Sequence, residues 1–80
     1  MNIAGKLKRD IKLFEYKFGI NCDPHSFLDT AVEFDLSINQ TILNYKRVKA
    51  AIVKSIVDNG FELTASYYGY DEDLFKRIIG

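Results

Sequence analysis

Ile3, Leu7, Ile11, Phe14 and Phe18 recur at spacings of three and four, which gathers them on one face of a helix over residues 2–18. Gly19 is the stop. Asp23-Pro24 reads as the start of a second helix, with Asp23 as N-cap and Pro24 at the first helical position, where its missing N–H costs nothing. That helix runs to about Phe34 and offers Phe27, Leu28, Ala31, Val32 and Phe34 as its apolar side. Asp35-Leu36-Ser37 forms a tight connection into the longest element, residues 37–60, which Ser37 caps and Asn59-Gly60 stops in a left-handed turn. Ile38, Thr41, Ile42, Tyr45, Val48, Ile52, Val53 and Ile56 share its apolar face, and Gln40, Asn44, Arg47, Lys54 and Asp58 lie opposite. Lys49 falls on the apolar face. The pattern predicts that its stem lies along the core while its head reaches water, in preference to a pairing with Asp29 or Glu33.

After Gly60 the period changes. Phe61, Leu63, Ala65 and Tyr67 alternate with Glu62, Thr64, Ser66 and Tyr68, which predicts a strand over 61–68. Its partner would be Phe18-Gly19-Ile20-Asn21-Cys22 in a two-stranded ribbon. Unpaired, it would be an open edge that a second copy or a partner could extend, and the remaining alternative is an irregular loop. Asp71 then caps a short last helix, with Glu72 and Asp73 in its first turn and Lys76 and Arg77 in its last, as the helix dipole favours. The expected fold is mainly α: one small domain over 1–80 with three main helices, a short strand or β-ribbon (hence α+β as a variant), and a short C-terminal helix.

Composition narrows the function classes. Eighty residues make a thin core, and 11 of them are Phe or Tyr with no Trp, so aromatics must supply much of its volume. Net charge is zero, which removes any whole-molecule attraction to nucleic acid. The charge nevertheless alternates: residues 1–20 carry five Lys/Arg against two acids, 21–40 four acids and no Lys/Arg, 41–60 four Lys/Arg against one acid, and 61–80 four acids against two bases. Neighbouring segments attracting one another account for this more simply than a basic face for a partner. The lone Cys22 excludes an intrachain disulfide and suggests a reducing compartment. The N-terminus lacks a secretory h-region, and no apolar run approaches membrane-spanning length, so a cytoplasmic protein is expected. Eight Lys to three Arg, and the abundance of Ile, Asn and Tyr, are residues with AT-rich codons; a low-GC bacterium or its phage is the corresponding expectation.

No catalytic, cofactor-binding or metal-binding set emerges. Cys22 and His25 are the chain's single Cys and single His, too few for a triad or a zinc site. Helix-start electrostatics explain Asp71-Glu72-Asp73, and the glycines are scattered rather than gathered in a phosphate-cradling loop. The expectation is a non-enzymatic, small intracellular regulator or inhibitor, phage or mobile-element encoded, that binds a host or cellular protein. Tyr67, Tyr68 and Tyr70 are the candidate contacts, because tyrosine offers large contact area with little entropy to lose. A homodimer through residues 61–68 is a further expected assembly. The alternative is a helix-turn-helix DNA-binding regulator. Gln40, Asn44 and Arg47 would read bases and Lys46 and Lys54 would touch phosphates, although the turn lacks Gly and the preceding helix is acidic.

Overall fold

Two serines decide where helices begin. The Ser26 hydroxyl accepts from the Asp29 backbone N–H at 3.0 Å, and the Ser37 hydroxyl accepts from the Gln40 N–H at 3.1 Å. Four residues after each serine stands a threonine whose hydroxyl donates back to the serine carbonyl: Thr30 to Ser26 and Thr41 to Ser37, both at 2.8 Å. Both threonines are fully buried, so each hydroxyl is satisfied by its own helix. This computed structural model describes residues 3–79, with side chains from residue 8 onward. Among the described residues there are four helices and no strand: α1 (Ile3–Phe18), α2 (Phe27–Phe34), α3 (Ile38–Tyr68) and α4 (Glu72–Ile79). The chain divides into two units, Met1–Val48 and Lys49–Gly80.

In the first unit α1 ends at Gly19, where the Gly19 and Ile20 N–H groups both donate to the Glu15 carbonyl. Gly19 has φ +93°, and a Cβ there would lie 2.8 Å from the Pro24 nitrogen and 2.9 Å from its Cγ. Conformation and space therefore both require glycine. Pro24 is thus a packing partner of the α1 terminus rather than the first residue of α2, and Asp23 is not the cap. Ser26, in an extended conformation, takes that role because the Asp29 N–H lies within its reach. At the far end of α2, Asp35 adopts the left-handed conformation (φ 54°), and the Leu36 N–H returns to the Ala31 carbonyl at 2.9 Å. The Arg9 guanidinium donates to the Phe34 carbonyl at 2.9 Å, bringing a cation to the negative end of that helix.

The core of this unit is aromatic. Phe14 is fully buried and stacks on Tyr45 (centroids 4.8 Å apart) and Phe18 (5.6 Å), and Phe27 meets Tyr45 edge-on at 5.4 Å. The Lys17 ammonium sits 4.5 Å above the Phe27 ring and 5.6 Å from Tyr45. Leu13, Ala31 and Val48 complete its buried apolar set, while Leu28 and Val32 point outward. The α1 face is therefore turned toward Leu13 and Phe14, with Ile11 half-buried. Ile3 and Leu7 lie outside the residues whose side chains are described.

In the second unit, Gly60 (φ 87°, ψ 170°) breaks α3 into arms 38–59 and 61–68. The bend falls where the Asn59-Gly60 pair predicts, but the chain resumes a helix instead of a strand. The predicted strand at 61–68 and the ribbon with Phe18–Cys22 are both overturned, since 18–22 is the end of α1 and a turn. A lone strand would leave its backbone groups unpaired, whereas a helix satisfies them locally. Phe61, Thr64 and Tyr68 carry the helical spacing beneath the alternation, and Thr64 is the fully buried member. As a helix, residues 61–68 offer no open strand edge to a second copy. Asp71 caps α4 as expected, its carboxylate accepting from the Leu74 N–H at 2.8 Å. Ile52, Thr64, Tyr70, Phe75 and Ile78 form the interior, and Lys49 is exposed, so it needs no acidic partner.

Gly19→Ala is expected to destabilise the chain by about 1–3 kcal/mol from backbone strain alone, with more from the Pro24 contact. Ser37→Ala is expected to cost about 1 kcal/mol through loss of the cap. Urea unfolding followed by far-ultraviolet circular dichroism measures both. A Gly19→Ala chain as stable as the parent would contradict the conformation described.

Candidate protein-binding surface

The bend at Gly60 folds the 61–68 arm back beside the end of the 38–59 arm. Ser55 and Asn59 from one arm, and Leu63, Tyr67 and Tyr68 from the other, line an open groove of about 500 Å³. The Ser55 and Thr64 hydroxyls meet at 2.8 Å beneath it, each able to donate or accept. With Thr64 fully buried, this bond fixes the register of the two arms.

A chain of rings leads from the interior to this surface. Phe75 is fully buried and packs against Tyr70 (centroids 5.8 Å apart), Tyr70 stacks on Tyr68 (5.7 Å, 20° between planes), and Tyr68 meets Tyr67 edge-on (5.0 Å, 81°). Exposure rises along the series from 0% at Phe75 through 8% at Tyr70 to 70% at Tyr67. Tyr67 thus presents its ring to solvent from a fixed support. Burial, and secondarily the neighbouring Tyr67, pushes the Tyr68 phenol above the usual tyrosine range.

The three sequence-predicted tyrosines are therefore brought together but differ in role: Tyr67 is available to a partner, Tyr68 is half-buried, and Tyr70 supports them from below. Leu63, at 65% exposure, Ser55 and Asn59 were not among the predicted contacts. The sequence signal for Leu63 is its position four residues before Tyr67, which places both on one helical face once 61–68 is helical.

Of the alternative nucleic-acid set, Gln40, Lys46, Arg47 and Lys54 are exposed. Asn44 is only 8% exposed, and its side-chain carbonyl accepts from the Gln40 Nε2 at 2.8 Å, so the two amides occupy each other. His25 donates from Nδ1 to the Tyr16 carbonyl at 2.9 Å while its ring stacks on Tyr16 at 3.8 Å, and the Cys22 Sγ lies 3.9 Å from the Glu15 and Tyr16 carbonyls. Both side chains trim the end of α1. Among the described residues no group of three or more His, Cys, Asp or Glu could hold a metal, and no helix is long and apolar enough to cross a membrane. No protein-family model, curated protein or solved structure matches the chain.

A double-mutant cycle on Ser55→Ala and Thr64→Val is expected to give a coupling of about 0.5–1.5 kcal/mol by urea unfolding; additive effects would deny the hydroxyl pair. The raised Tyr68 pKa means that the folded state holds this proton more tightly than the unfolded state, whose phenol titrates near 10.0. Its contribution is whole below that pH and is lost as pH rises through the folded pKa. Tyr68→Phe is expected to reduce the fall in stability between neutral and strongly alkaline pH, measured by urea unfolding at a series of pH values.

Proposed function

We propose that this chain is a non-enzymatic protein-binding module, a regulator or inhibitor that acts by occupying a groove or edge on a cellular protein with Leu63, Tyr67 and Tyr68. The supporting observation is the ring series from Phe75 to Tyr67, which holds an exposed tyrosine in place before any partner arrives. Rigid aromatic side chains lose little entropy on binding and dominate interface energetics. Ser55 and Asn59 add hydroxyl and amide groups at the margin of the same groove, the apolar-centre, polar-rim arrangement of specific interfaces.

The test uses the full chain as bait, followed by titration of the recovered protein. Tyr67→Ala and Leu63→Ala are expected to weaken binding at least about tenfold each with unchanged helix content. Val32→Ala, on an exposed side chain of the other unit, is expected to leave binding intact. Partners that bind both groove variants as tightly as the parent would remove this surface from consideration. Binding to duplex DNA with a steep salt slope, lost when Arg47→Ala is combined with Lys54→Ala, would replace the reading with the DNA-binding one.

A further inference from the structure

We propose that α2 of one copy of this chain packs on the lysine-flanked face of α3 in a second copy. This inference is independent of the protein-binding reading. Leu28 and Val32 stand one turn apart on α2, and both are exposed, Val32 at 75%. Asp29 and Glu33 form the adjacent row and are exposed too. Thr30 and Ala31 are the buried residues of this helix, so its apolar pair and its acids face away from its own core. In the second unit Val53 and Val57 stand one turn apart in the same way, with exposed Ala50 beside them and Val57 at 78% exposure. Lys49 and Lys54, both exposed, lie on opposite flanks of that row. Asp58, the one acid of residues 41–60, lies a turn beyond Lys54.

Charge complementarity joins these two faces. Residues 21–40 hold no Lys or Arg, and residues 41–60 hold four against one acid. Attraction between neighbouring segments does not use these charges within the chain. Among the described residues Asp29, Glu33, Lys49 and Lys54 enter no ion pair, and the apolar rows beside them are open. A second copy supplies to each face what it lacks. The face over 49–57 matches the length of α2, about 12 Å at 1.5 Å per residue. Leu28 and Val32 laid against Val53 and Val57 bury both apolar rows. Because lysines stand on both flanks, the Asp29–Glu33 row meets one of them whether the helices run parallel or antiparallel. Pairing either face with its own like would oppose charges of one sign instead. The contact joins two different patches, so a two-fold pair makes it twice.

Sedimentation of the full chain across a concentration series in low salt reads the association, and the parent is expected to self-associate. Asp29→Lys with Glu33→Lys in one chain, and Lys49→Glu with Lys54→Glu in another, set like charges against each other. Each chain alone is expected to associate at least about tenfold more weakly than the parent. Mixed one to one, they are expected to regain the parental association, because every α2–α3 contact between unlike chains again joins opposite charges. Val32→Cys and Val57→Cys chains, both with Cys22→Ser, are expected to cross-link to one another in a glutathione redox buffer faster than either does to itself. These small changes at exposed positions decide the matter if a charge-reversed chain loses helix content. Tyr67→Ala is expected to leave self-association unchanged, which separates this contact from the groove. The proposal is overturned by a monomeric parent, which would leave the lysine face to an acidic partner of another kind. It is equally overturned by charge-reversed chains of parental helix content that associate as well as the parent or fail to recombine. Cysteine chains that cross-link no faster to each other than to themselves, or loss of association in Tyr67→Ala, overturn it as well.

Discussion

Gly60 holds a backbone conformation that is open to glycine and closed to residues bearing a Cβ, and both of its neighbours are helical. One pair of dihedral angles therefore separates a hairpin from a rod. The hairpin brings Thr64 to Ser55 and sets Leu63 and Tyr67 beside Asn59. It also lets the 61–68 arm lead through Gly69 into Tyr70, which links the buried Phe75 to Tyr68. Without the bend, the groove does not exist. Because nothing crowds the glycine, the bend is maintained by what it brings together.

The two units solve the small-core problem with different chemistry. The first gathers rings from three helices: Phe14 from α1, Phe27 from α2 and Tyr45 from α3. Lys17 lays its ammonium over the last two, so a cation that could have needed an acid is held by ring faces instead. The second buries Ile52, Tyr70, Phe75 and Ile78 together with Thr64, whose hydroxyl is paired across the bend, where Thr30 and Thr41 of the first unit are paired within their own helices. Thr64 is tolerable there because Ser55 satisfies its hydroxyl, and among the described residues no buried side-chain polar atom lacks a partner.

Local features of the fold were readable in the sequence, and those that depend on distant partners were not. Ser37 at the head of α3 and Asp71 at the head of α4 act through atoms three residues away, so capping rules find them. The break at Gly60 is equally local. Whether 61–68 becomes a strand or a helix depends instead on a partner strand some forty residues earlier in sequence. The alternation of Phe61, Leu63, Ala65 and Tyr67 gives no information about that. The start of α2 failed for a related reason: Asp23-Pro24 is a sound local signal, but the close approach of Pro24 to Gly19 uses it elsewhere. At the candidate site the tyrosines were legible by type, whereas Leu63 joins Tyr67 only once 61–68 is a helix, and Asn59 only through the bend. Asn44 shows the converse: a residue on the polar side of a wheel is buried and occupied by Gln40.

The paired serine–threonine motifs at Ser26 and Ser37 bear on how quickly the chain reaches its structure. Each closes its bonds within five residues, so α2 and α3 can each acquire a defined first turn before any tertiary contact exists. The Phe14–Tyr45 stack, by contrast, must close a loop of about thirty residues, with an entropy cost that grows with the logarithm of its length. Starting that search with two helix origins already set shortens it. The first unit then belongs among helical folds, whose contacts are mostly local in sequence and which as a class fold fast.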